Sequence, residues 1–157
     1  MKSSSAPHEL NTPGENIDTK WPSHKQILKT GESANDHFKE REGVKYAGEH
    51  LIIDVWDASH LDDLKLMEDT LRHAVEVSGA TLLHVHLHHF TPTGGISGVA
   101  VLAESHISVH TWPEKNYAAF DVFMCGDAEP EKTISIFQKA FSSNNIEVKE
   151  ILRGVEL

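Results

Sequence analysis

Four runs between residues 81 and 124 constrain the fold more than any other feature of the chain. They are T-L-L-H-V-H-L-H-H-F (81–90), I-S-G-V-A-V-L-A (96–103), H-I-S-V-H-T-W (106–112) and Y-A-A-F-D-V-F-M (117–124). Each is rich in β-branched, aliphatic or aromatic residues and reads as a strand. T-P-T-G-G and P-E-K-N punctuate them as turns. Connections this short imply antiparallel pairing, because a parallel crossover takes a dozen or more residues.

The flanking segments complete the pattern. H-L-I-I-D-V-W (50–56) is a further strand-like run, and Ser59, with Asp62 three residues on, offers a helix cap. Leu64, Met67, Leu71, Ala74, Val75 and Ser78 then follow helical spacing, and Gly79 ends it. A second amphipathic helix starts at Glu129-Pro130, with Ile134, Phe137 and Phe141 on one face. Ser142-Ser143-Asn144-Asn145 breaks it before a last strand, I-E-V-K-E-I-L (146–152). The order β-α-β-β-β-β-α-β predicts an α+β two-layer sandwich, a mostly antiparallel sheet with both helices on one face. No element remains to cover the other face, which is expected to carry apolar residues. Two sheets packed together in a homodimer would bury it.

Residues 1–47 are polar, contain Pro7, Pro13 and Pro22, and show no sustained periodicity. They read as a flexible N-terminal extension with a short helix around 32–41, ahead of a domain spanning 48–157. A hydrophobic share of 39% in 157 residues suits one compact domain. No stretch approaches the roughly 20 apolar residues of a membrane-spanning helix. M-K-S-S-S-A-P-H-E-L-N lacks the apolar segment of a secretory signal. Cys125 is the single cysteine, so no internal disulfide can form, and the cytoplasm is the expected location. The net charge of −10 falls entirely in residues 48–157, which hold seven Lys/Arg against seventeen Asp/Glu. That balance argues against a nucleic-acid partner, whose phosphates need clustered cations, and is compatible with a cationic substrate.

Several residues could carry chemistry. His84, His86 and His88 alternate on one strand face, and H-x-H is a metal-ligand spacing. Without a fixed third partner, the more ordinary reading is a polar sheet face, and no metal is expected. Cys125, taken alone, reads as a small buried hydrophobe. No G-x-S-x-G elbow surrounds Ser97 or Ser105, and T-G-G-I-S-G does not match a phosphate loop.

The combination L-A-E-S-H-I-S-V-H-T-W-P-E (102–114) and Y-A-A-F-D-V-F-M-C-G (117–126) closely resembles the prokaryotic S-adenosylmethionine decarboxylase proenzymes, the pyruvoyl-dependent enzymes of polyamine synthesis. The resemblance covers about 48–157, including G-G-I-S-G-V-A-V-L (94–102). It implies self-cleavage of the Glu104-Ser105 bond into chains 1–104 and 105–157. The Ser105 hydroxyl attacks the preceding carbonyl to give an ester, and β-elimination and hydrolysis leave a pyruvoyl group at the new N-terminus. His110 matches the family's processing histidine and Ser97 the serine that polarises or holds the ester. Cys125 matches the cysteine that protonates the substrate carbon. Glu114 resembles the carboxylate that binds the nucleoside ribose, and Phe90 the aromatic that stacks on adenine. The implied reaction converts S-adenosylmethionine to its decarboxylated form and carbon dioxide through a Schiff base, supplying aminopropyl groups for spermidine.

The chemistry has its own logic. Decarboxylating an α-amino acid needs an electron sink, and no coded side chain offers a reactive ketone. A thiol, with an ordinary pKa of about 8.5, is a competent acid near neutral pH. Ser105 and His110 are five residues apart, so a regular strand puts them on opposite faces and roughly 16 Å apart. His110 of a partner subunit could instead serve Ser105, as the family's shared dimeric sites imply. Three other readings stay open here: a pyruvoyl-dependent decarboxylase of ornithine or arginine, a non-catalytic paralogue that activates a partner, and a metal-binding protein using His84, His86 and His88.

Overall fold

The computed structural model describes residues 38–156. Six strands form one fully antiparallel sheet: β3 (Gly48–Trp56), β4 (Leu82–His89), β5 (Ile96–Leu102), β6 (Ser105–Trp112), β7 (Tyr117–Met124) and β8 (Asn145–Arg153), in the order β4-β5-β6-β7-β3-β8. Helices α1 (Leu64–Val77) and α2 (Lys132–Ala140) pack on one face. A small hairpin, β1 (Lys39–Arg41) and β2 (Val44–Tyr46), precedes the sheet. From β3 to β8 the order is the expected β-α-β-β-β-β-α-β.

Alternation decides which residues enter the core. Leu51, Ile53 and Val55 of β3, Ile107 and Val109 of β6, and Ala118, Phe120, Val122 and Met124 of β7 all point at the helices and are buried. Met67, Leu71, Ala74 and Val75 of α1 and Phe137 of α2 meet them. Phe120 stacks on Phe137 with ring centroids 4.1 Å apart and touches Phe141 at 5.8 Å.

Two local readings need correction. The cap of α1 is Asp63, whose side chain accepts from the Leu66 N–H, while the Ser59 hydroxyl donates instead to the Phe141 carbonyl. Of the helix expected around 32–41, residues 39–41 form β1, because Glu42 and Gly43 both take positive φ and close a tight hairpin. Residues 32–37 lie outside the described residues. Regular structure among the described residues therefore includes strands ahead of residue 48, with Tyr46 buried. The helix-free face carries apolar residues, as expected, interspersed with ionisable ones. It carries His50, Ile52, Asp54 and Trp56 from β3 and Tyr117, Ala119, Asp121 and Phe123 from β7, a mixture of aromatic, aliphatic and ionisable side chains. Among the described residues no helix is long and apolar enough to cross a membrane.

Candidate active site

The residues singled out in the sequence fall into two groups, one at each end of β6. At the first, Leu102 pairs with Ser105, so Ala103-Glu104 is a two-residue turn and Glu104 takes a left-handed φ of +65°. The Glu104-Ser105 bond leaves this turn and enters β6. The Ser105 Oγ accepts a hydrogen bond from the Cys125 N–H at 3.2 Å, and Cys125 directly follows the last residue of β7. Cys125 is half-buried. Burial pushes its thiol up from the ordinary value, the Glu104 carboxylate adds to this, and the Lys39 ammonium opposes it.

At the other end, Ser97 of β5 stands opposite His110 of β6, with Ser97 Oγ and His110 Nδ1 2.9 Å apart. The His110 ring is exposed, and its centroid is 6.3 Å from that of Trp112. Glu114 sits just beyond, exposed on a single 3-10 turn (Pro113–Lys115). Phe90 follows the end of β4, is 46% exposed, and lies edge-on to His88 at 4.5 Å. Its N–H donates to Gly95 and its carbonyl accepts from Gly94, which closes the turn into β5.

The structure thus brings together Glu104, Ser105 and Cys125, and separately Ser97 and His110, with Phe90 and Glu114 at the latter end of the sheet. It does not bring Ser105 to His110. Strand β6 is unbroken from Ser105 to Trp112, so no sharp turn closes the roughly 16 Å between them. Among the described residues no three His, Cys, Asp or Glu side chains gather as a metal would need. His84 and His86 merely run parallel, ring centroids 6.4 Å apart.

Sequence reasoning missed a polar network on the helix-free face. The Tyr117 hydroxyl donates to Asp54; burial and then that carboxylate push the phenol up to about 12. Asp121 accepts from Ser108 at 3.1 Å and lies 3.3 Å from His50 Nε2. His106, beside Phe123, is held below the ordinary histidine value by burial and then by His50, against the pull of Asp121. Trp56, Tyr117 and Trp112 stack across three strands at 4.2 and 5.2 Å. Strand alternation alone would put the residues of each strand on one face, but only the register reveals their pairing across strands.

Fold and site together define a class: a two-layer α+β domain with a Ser–Cys pair and a Ser–His pair at opposite ends of one strand. A sequence profile described as S-adenosylmethionine decarboxylase matches residues 49–154. An S-adenosylmethionine decarboxylase proenzyme of Methanococcus maripaludis is 47% identical over 115 residues, covering 71% of this chain and 93% of the relative. One of Thermomicrobium roseum is 40% identical over 113 residues, covering 71% and 97%. The crystal structure of the adenosylmethionine decarboxylase of Aquifex aeolicus superposes with a TM-score of 0.62 at 28% identity, over 71% of this chain and 94% of that one. The chain belongs to the S-adenosylmethionine decarboxylase family.

Proposed function

We propose that the chain is a proenzyme that cleaves its own Glu104-Ser105 bond and then decarboxylates S-adenosylmethionine in the cytoplasm. The observation that carries this reading is the turn. Glu104 is held left-handed immediately before Ser105, whose hydroxyl is already fixed by the Cys125 N–H. Strain of this kind costs about 1–3 kcal/mol and gathers at reacting sites. The Ser105 Oγ attacks the Glu104 carbonyl carbon, the C–N bond breaks, and an ester joins the two residues.

His110 then takes the proton from the Ser105 Cα, and the ester carboxylate departs. For Nε2 to accept that proton, Nδ1 must carry the ring hydrogen, and the 2.9 Å contact is compatible with Nδ1–H donating to Ser97 Oγ. The separation along β6 favours a homodimer in which Ser97 and His110 of one subunit serve Ser105 of the other. Mixed sheet faces with exposed Trp56 and Trp112 are compatible with such packing.

The residues present fit a pyruvoyl group made from Ser105: Oγ leaves with the Glu104 carboxylate, water supplies the ketone oxygen at the former Cα as ammonia departs, and the Cys125 N–H stands as a hydrogen-bond donor at the Ser105 side-chain position. Such a group supplies the electron-accepting carbonyl that loss of carbon dioxide from an amino acid requires. Cys125, its thiol raised by burial, holds a proton at neutral pH for return to the substrate carbon. Glu114 and Phe90 offer a carboxylate and an aromatic face to a nucleoside carrying a sulfonium charge.

An intact mass spectrum of the purified protein tests the reading. Fragments 1–104 and 105–157, the second without a free amino terminus, are expected together with carbon dioxide release from S-adenosylmethionine. An unbroken chain with full activity would overturn it.

A further inference from the structure

The hairpin of β1 and β2 lies outside the stretch 49–154 that the family profile matches, yet it is built into the end of the sheet where Ser105 and Cys125 sit. Its anchor is Glu49, a carboxylate only 7% exposed. Tyr46 Oη donates to Glu49 Oε1 at 2.6 Å, Arg41 Nη2 to the same oxygen at 2.9 Å, and Lys39 Nζ lies 3.3 Å from Oε2. Arg41 also spans to Glu150 of β8, at 2.7 and 3.1 Å. Glu49 is paired with Met124, the residue before Cys125. Lys39 Nζ, with its side chain 18% exposed, completes the arrangement by donating to the Ala128 carbonyl at 2.8 Å. One ammonium therefore ties the hairpin, the start of β3 and the segment 125–128 together.

We propose that Lys39 is a positioning residue of the active site: it clamps the Cys125–Ala128 segment against the start of β3 and keeps a cation at the thiol's end of the sheet. The proposal rests on the reading of Cys125 as the proton donor. The charged groups acting on that thiol are Glu104 from the turn before β6 and Lys39 from β1, with Glu49 as the partner of Lys39. Glu104 and burial hold the proton on sulfur, and Lys39 works against both. A thiol that must give up its proton and then regain it each turnover needs both influences. Without the ammonium, the thiolate becomes harder to form.

Cys125 is the single cysteine, so its ionisation can be read on the intact protein. Iodoacetamide alkylation, followed by mass against pH, and the ultraviolet thiolate absorbance, measured against a Cys125→Ser control, report it independently of turnover. Three variants separate the roles: Lys39→Met removes donor and charge, Lys39→Gln keeps a donor without charge, and Lys39→Arg keeps both. For Met and Gln the ionisation profile should move to higher pH, with alkylation at mildly alkaline pH slowed about threefold or more, and Arg should restore it. If Met fails to fold, Gln and Arg carry the comparison. Profiles of folded Gln and wild-type protein that superimpose by both readouts would overturn the proposal. Full turnover by Cys125→Ala would instead remove the proton-donor reading while leaving the ionisation result standing.

Discussion

Glu104 adopts a left-handed backbone conformation that L-residues with a Cβ enter at a cost of about 1–3 kcal/mol. On the proposed reading, the hydroxyl of the residue after it attacks the Glu104 carbonyl. Ser105→Ala keeps the turn and removes the attacking oxygen, so this variant should remain one 157-residue chain with no activity; two fragments on a denaturing gel would misplace the bond. Cys125 makes a different prediction. If it is the proton donor proposed above, its raised thiol is needed in the protonated form, so turnover should hold through neutral pH and fall as pH rises through a value above the ordinary thiol range. A pH profile of kcat reads that limb directly. Cys125→Ala should still self-cleave but lose about a hundredfold or more in kcat, the usual worth of a positioned acid.

The hairpin and the helix layer each make a prediction at the scale of elements. Glu49 is buried, and burial alone would raise its carboxyl, but Tyr46, Lys39 and Arg41 outweigh it and hold the group below the ordinary carboxylate value. A carboxylate lowered on folding contributes stability above its unfolded pKa and loses it as pH falls through the folded one. Wild-type protein should therefore lose Tm on acidification below about pH 4.5 more steeply than Glu49→Gln. At neutral pH that variant should be weaker by about 2 kcal/mol. Phe120→Ala, which empties the stack on Phe137, should cost about 3–5 kcal/mol in urea denaturation. These two elements were unequally legible. Helix α2 and the strands around Phe120 announce themselves by periodicity, because a buried face must repeat. The hairpin does not: its strands are three residues each, five of those six residues are exposed or only half-buried, and its partners Glu49 and Glu150 are remote in sequence. The α1 cap was misread for a related reason, since Ser59 is drawn to Phe141, more than eighty residues away, and Asp63 takes its place.

At the scale of the whole molecule, the same strand that gives the sheet its register divides the site. Ser105 and His110 were legible as residues, and their separation followed from strand geometry, but the Ser97–His110 contact needed the β5–β6 register. On the proposed reading, a second sheet facing the first completes a site split along β6, and this makes a test by complementation possible. A Ser105→Ala subunit keeps its histidine, and a His110→Ala subunit keeps its serine; neither should cleave when expressed alone. Co-expressed, a mixed dimer contains one complete pair across the interface, and the chain bearing His110→Ala should be cut at 104–105. With random assembly of equal amounts, half the dimers are mixed and each holds one site of two, so activity should recover to roughly a quarter of wild type. An uncut chain bearing His110→Ala, with mixed dimers demonstrated by mass, would mean that His110 reaches its own serine and that the strand bends in the reacting state.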